Sequence, residues 1–279
     1  MQMIRLLQIE FIKLWNNRAS KVLIISYFAL LTSIALVAAI KFDIGPIKFH
    51  LADQGIFNFP YIWHFNTFIT AFFKLFLAIV IVSMMSNEYS NKTIKQNLID
   101  GLSKREFILS KFLTVITFSL VSTIFVFIVS LILGLFYSDF NELSIIFTDL
   151  EFLLAFFVKL TGFFSFCLFL GVLVKRSAFA LGFLILWQVF EGIFRGILRW
   201  KFFDGETTDS IMNLFPLQSM FNLIKEPFSR LGAVQSVANQ MGEKLALNYH
   251  VHWYEVIIVL FWTAIFIYGS YKILKRRDL

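Results

Sequence analysis

The chain has 279 residues, of which 58% are hydrophobic, 18% aromatic and 15% charged, and its mean hydropathy is +0.77. That balance excludes an ordinary soluble domain, where about 25% of residues are charged, and describes a polytopic membrane protein. The net charge of +7 is accounted for by topology and lipid head groups without nucleic acid, and the single cysteine, Cys167, excludes an intrachain disulfide.

In Met1–Asn17 the residues Ile4, Leu7, Phe11 and Leu14 recur at helical spacing, with Arg5, Gln8 and Lys13 elsewhere. The pattern predicts an amphipathic helix in the inner interface, with 1–21 as its extent, although a plain extension anchoring the first span fits equally. Asn16 to Ser20 break the helix, and Ser20 is expected to cap the span that follows. Apolar runs of about 18 residues or more can cross a roughly 30 Å hydrocarbon core. They predict six spans, Val22–Ile40, Asn66–Ser86, Phe112–Tyr137, Phe152–Val174, Ala178–Leu198 and Glu255–Leu274, in one all-α transmembrane domain over 1–279. The first is expected to be retained: its apolar run begins only at Val22 and no small-x-small cleavage site follows.

Lys and Arg set the orientation. Fifteen fall at the N-terminus, in the Asn87–Lys111 loop, at Lys175-Arg176 and in the tail, against eight in the opposite loops. Both termini are therefore expected inside, in agreement with an even number of spans.

The charged stretch 87–111, NEYSNKTIKQNLIDGLSKREFILSK, has clear local grammar. Ile94 and Leu98 lie four apart on a short helix that Gly101 can close in a left-handed turn. Ser103 and Glu106 then form a capping box that opens a new helix running into the third span. The elbow so formed offers Lys92, Lys95, Lys104 and Arg105 to a partner or to head groups, and the residues alone favour a solvated loop over a docking surface.

The order Glu88-Tyr89, Thr93, Leu98, Ser103-Lys104-Arg105 and Lys111 resembles the cytoplasmic signature of ABC transporter permeases of the ABC-2 exporter type. Here Lys92 stands where that family usually has Gly before Thr, and Lys104 separates Ser103 from Arg105. The amphipathic N-terminus, the six spans and the long last outer loop extend the resemblance over the chain. It implies that 87–111 is a coupling elbow through which Glu88, Thr93, Lys104, Arg105 and Lys111 engage a separate ATP-binding subunit, with ATP and Mg on that partner and no cofactor on this chain. It implies also a second permease subunit, identical or paralogous, an exporter rather than an enzyme, and residence in a prokaryotic cytoplasmic membrane. The chain has no G-x-x-x-x-G-K-[ST], so an ATPase of that kind must come in trans.

Ionisable residues within spans point to function by default. Lys74, Lys159 and Glu191 fall at similar depth, roughly 10 Å from the outer surface at about 1.5 Å per residue. Glu191 is therefore a candidate partner for either lysine, while each lysine can also snorkel outward. On the fifth span Gln188, Glu191, Arg195 and Arg199 form one polar stripe, either lining a wet pathway or marking where the helix leaves the membrane. Beside it, Gly192-x-x-x-Gly196 would admit a close helix. The resembled family borders its route with the second and fifth spans, which implies a pathway lined by Lys74, Gln188, Glu191 and Arg195.

The outer loop 199–254 is too mixed to span. Its segment 212–224 can re-enter the outer leaflet if its backbone is buried in protein, and Leu231, Val234, Ala238, Met241 and Leu245 predict an amphipathic helix. The pair His250-x-His252 reads as polar loop rather than metal site, and no catalytic motif such as H-E-x-x-H or G-x-S-x-G occurs. A secondary transporter or channel acting without an ATPase is the alternative, but it would call for midplane charges or related halves that the sequence lacks. A membrane-embedded enzyme would need a catalytic cluster, and the spans offer isolated candidates only.

Overall fold

The computed structural model describes residues 2–39, 41–44, 47–50, 55–231, 234–235, 240 and 248–277, with backbone only for 2–3, 35–39 and the two strands. α1 (Gln2–Asn16) lies against the bundle through Phe11 and Leu14, leaving Ile4, Ile12 and Trp15 exposed. It stops at Asn17, whose Oδ1 accepts the Ser20 amide at 3.0 Å. Asn17, not Ser20, therefore caps α2 (Arg18–Ala39), and Ser20 is a buried residue of its first turn. Tyr27, Leu31 and Ile34, at spacings of four and three, form the buried face of α2.

A two-stranded antiparallel hairpin, β1 (Lys41–Ile44) and β2 (Ile47–His50), follows as a small addition to an otherwise helical fold. The second long helix begins earlier than the apolar run suggests and is interrupted. α3 (Tyr61–Thr70) tightens into a 3-10 turn at Ala71–Phe73 before α4 (Lys74–Ser90). Just ahead of the turn, the Thr67 hydroxyl bonds back to Trp63 O at 2.6 Å and the Thr70 hydroxyl to Asn66 O at 2.7 Å. Such back-bonding bends helices, and a 3-10 stretch inside a long helix is a common hinge.

The elbow α5 (Thr93–Ile99) leads into α6 (Lys104–Tyr137), a single helix of 34 residues. Then come the one-turn α7 (Leu143–Ile146), α8 (Glu151–Val174), α9 (Ser177–Lys201), α10 (Gly205–Met212), α11 (Pro216–Asn222) and α12 (Trp253–Arg276). Among the described residues, five stretches are long and apolar enough to cross a membrane: Tyr61–Ser90, Lys104–Tyr137, Leu143–Val174, Ser177–Lys201 and Trp253–Arg276. α2, with 22 residues, packs beside α4 and α6 in the same bundle.

α8 is the hub. Apart from Glu151 and Lys159 it is apolar or small all round, and it is surrounded by α4, α6, α9 and α12. At Gly162 the absence of a side chain lets α12 approach, since a Cβ there would meet Val259 Cγ1 at 2.8 Å. α9 is the opposite case, with most of its surface open. Gly192 and Gly196 have no described residue beyond their own helix within 4 Å of where a Cβ would stand, so among the described residues no intrachain helix uses that motif.

Between α9 and α12 the chain turns back inward as α11, which packs on α8, α9 and α12 with Pro216, Leu217, Ser219 and Met220 buried. The amphipathic helix expected from Leu231 to Leu245 lies largely outside the described residues. Chain reversals at each connection bring both termini to one end of the bundle, where Lys13 meets Glu88 and Arg277 meets the end of α8.

Candidate functional site

Two polar regions stand out in the bundle, one at the end that carries the termini and one toward the opposite end. The first is built on the elbow. Lys92 enters it in the left-handed conformation, φ 54°, which explains why a glycine is comfortable at this place. α5 is closed by Gly101 at φ 95°, with the Leu102 amide donating to Asn97 O at 3.0 Å and the Gly101 amide to Leu98 O at 3.2 Å. This pair of bonds satisfies the last carbonyls of the helix. Ser103 and Glu106 then make the capping box in both directions, 3.2 Å from the Glu106 amide to Ser103 Oγ and 2.9 Å from the Ser103 amide to Glu106 Oε2.

Beneath the elbow sits a buried charge cluster. The Lys111 ammonium, with no solvent exposure, donates to Glu10 Oε2 and to Glu88 Oε1, each at 2.6 Å. Lys13 reaches the same Glu88 oxygen at 2.9 Å, and the Thr93 hydroxyl donates to Glu88 Oε2. Burial penalises the Lys13 ammonium, but the attraction of Glu10 and Glu88 more than offsets this and raises its pKa above the ordinary 10.5. Four elements, α1, α4, α5 and α6, are thus tied at one point. Glu88 and Lys111 are interior struts, and Glu10, which completes the cluster, was not anticipated from the sequence because it depends on α1 folding back onto α6.

Lys104 also differs from expectation. Its ammonium donates to Arg277 O at 2.9 Å and Lys275 O at 3.4 Å, covering the carbonyl end of α12, so it is engaged within the chain rather than offered outward. Arg277 in turn covers the end of α8, donating to Val172 O at 2.5 Å and Leu173 O at 2.8 Å, and also to the Tyr89 hydroxyl at 2.9 Å. Exposed on the elbow are Lys92, Lys95, Gln96, Arg105 and Ile99, the last 75% exposed and the only large apolar side chain on the outer face of α5.

The second region is a cavity of about 360 Å³ bounded by α3, α4, α8, α9 and α11. Lys74, Lys159 and Gln188 supply its polar groups, and Phe68, Phe163 and Phe221 much of its wall. Lys74 Nζ stands 4.3 Å from the centroid of the Phe163 ring, and Lys159 Nζ donates to Phe221 O at 3.2 Å. Glu191 pairs with neither lysine. It is buried and accepts from the Leu217 amide at 3.1 Å, the Gln218 amide at 2.8 Å and Trp187 Nε1 at 2.7 Å. A carboxylate is drawn to the free amides at the start of a helix, and α11 presents two of them, at Leu217 and Gln218. Arg195 is elsewhere, in an exposed pair with Asp209 at 2.6 Å. Of the four residues expected along a pathway, Lys74 and Gln188 therefore share one cavity, Glu191 holds its neighbouring helix in place, and Arg195 binds α10.

A helical bundle with five stretches able to cross a membrane and a short elbow braced on buried charge defines a polytopic membrane protein. The family model described as ABC-2 family transporter protein matches residues 6–279, and the chain belongs to that family of ABC-type membrane permeases. Membership implies work alongside an ATP-binding subunit in a membrane. Among curated proteins no sequence matches the chain.

Proposed function

We propose that this chain is the membrane-spanning permease of an ATP-driven exporter with six spans, α2 being the first, and with both termini in the cytoplasm of a prokaryotic cell. A separate subunit binds ATP and Mg and docks on α5. Two permease subunits, identical or paralogous, enclose the route. The part of α9 beyond the cavity, at Gly192 and Gly196, supports this pairing, since small residues on an uncovered stretch of helix let a helix of a second subunit approach closely.

The observation that carries the reading is the placement of α4. One end of this 17-residue helix, about 25 Å long at about 1.5 Å per residue, holds Glu88 in the charge cluster under the elbow. The other end begins at the 3-10 turn and carries Lys74 into the cavity. A push on α5 would reach the cavity through one rigid element with a hinge at its far end.

The docking test follows from what is exposed. Ile99→Glu and Lys95→Glu, on the outer face of α5, are expected to abolish co-purification of a soluble ATP-binding subunit while the chain still elutes as a single species. Reversal of Lys104 is a poor probe, because it also frees the carbonyl end of α12. A chain that never retains such a subunit, even before mutation, overturns the proposal.

A further inference from the structure

The cavity beside α4 contains two lysines and, among the described residues, no acid. Among the described residues, Lys159 has one carbonyl partner and a looser approach to the Phe221 ring, Lys74 has only an aromatic ring, and no Asp or Glu lines the space. Gln188 adds an amide that has no partner among the described residues. The remaining wall is apolar, and Phe72, Leu75, Ile185 and Val189, which line the cavity, are each exposed, so it opens sideways between α4 and α9 toward the position of the hydrocarbon. A volume of about 360 Å³ suits a head group and the first methylenes of a chain, with the remainder trailing out through that mouth.

We infer that the cavity binds an anionic amphiphile of phospholipid type, its phosphate seated on Lys74 and Lys159 with the Gln188 amide as a further donor, and its acyl chain leaving past Phe72 and Ile185. Charge complementarity selects this occupant. A zwitterionic head group would bring an ammonium for which the cavity has no carboxylate. A second copy of the chain is also a poor match, because the only acids on α4 and α9 are Glu88 and Glu191, both buried and engaged. Calling the amphiphile cargo rests on the permease reading above; its binding does not.

The test uses the full chain in mild detergent, with tail-labelled phosphatidylglycerol and phosphatidylcholine of equal chain length as probes. Phosphatidylglycerol is expected to bind at least about tenfold more tightly, and Lys74→Met with Lys159→Met to remove that preference by weakening phosphatidylglycerol far more than phosphatidylcholine. Lys74→Arg with Lys159→Arg should keep it. If the double methionine variant does not fold, Leu184→Trp, which fills the cavity from its apolar wall, should abolish retention of the anionic lipid. Equal affinity for the two lipids, unchanged binding in the methionine or tryptophan variant, or displacement by inorganic phosphate alone would overturn the inference. So would spontaneous disulfide formation between two copies carrying Ile185→Cys with no lipid bound, which would assign the mouth to a second copy. A co-purifying ATP-binding subunit without anionic preference leaves the permease reading standing and removes this inference; anionic preference without such a subunit does the reverse.

Discussion

Lys111 and the pair Lys74 and Lys159 are the same side chain placed inside the same bundle, and they are treated in opposite ways. Lys111 is held between two carboxylates at 2.6 Å, with a second lysine and a threonine completing the cluster. Lys74 and Lys159 are left with one carbonyl and one ring between them as close polar or aromatic-face contacts of their ammonium groups, apart from the looser approach of Lys159 to Phe221. A neutralised buried charge serves the protein itself, since removing one partner strands the others. An unneutralised charge destabilises its surroundings until a ligand arrives. The contrast assigns bracing to the elbow end and binding to the cavity end.

The strongest way to break that contrast is Lys111→Met. It leaves Glu10 and Glu88 buried together with only the half-exposed Lys13 between them, and a loss of about 3–5 kcal/mol is expected. Thermal unfolding in detergent, followed by the monodisperse fraction on gel filtration, should fall sharply. A chain of parental stability would mean that water or the partner subunit already neutralises the cluster. Glu191→Gln is next, expected to cost about 1.5–3 kcal/mol because two α11 amides and the Trp187 N–H lose a charged acceptor. Its signature is local, with protease sensitivity or hydrogen exchange rising in 214–224 before the bundle loosens.

These two sites show what could be read in the sequence and what could not. The capping box at Ser103 and Glu106 and the closing turn at Gly101 were legible because their partners lie three or four residues away, within reach of a local pattern. Glu88 and Lys111 stood out through resemblance, but nothing in the spacing of 23 residues said that they touch, and Glu10, 101 residues from Lys111, carried no signal at all. The partners of Glu191 are hidden from the sequence for a different reason. Two of them are backbone amides of a short helix, and backbone dipoles do not appear as charges when a sequence is scanned for complementary side chains. The common depth of Lys74 and Lys159 was visible from counting residues, whereas their meeting in one cavity depends on where α8 and α11 pack.

Lys74→Met sharpens the comparison from the other side. Where Lys111→Met destabilises, replacing an ammonium that has no carboxylate partner should raise stability by about 1–2 kcal/mol in lipid-free detergent, because its desolvation is relieved and little is lost. Added phosphatidylglycerol should narrow the difference between variant and parent, since the ligand stabilises only the chain that binds it. A destabilised variant would show that Lys74 has a bracing role after all.

The smallest effect tests the elbow without touching its charges. Lys92 is held at φ 54° and ψ 21°, a conformation that costs an ordinary residue about 1–2 kcal/mol and glycine nothing sterically, although glycine has more freedom to lose on folding. Lys92→Gly is therefore expected to stabilise the fold by about 0.5–1 kcal/mol, read as a small upward shift of the unfolding midpoint. Its side chain is exposed and has no ion-pair partner among the described residues, so little is lost with the charge. If the midpoint instead falls, the lysine contributes more through its charge, to head groups or to the docking surface, than its backbone strain costs, and α5 would then have to be read as a basic contact surface rather than an apolar one centred on Ile99.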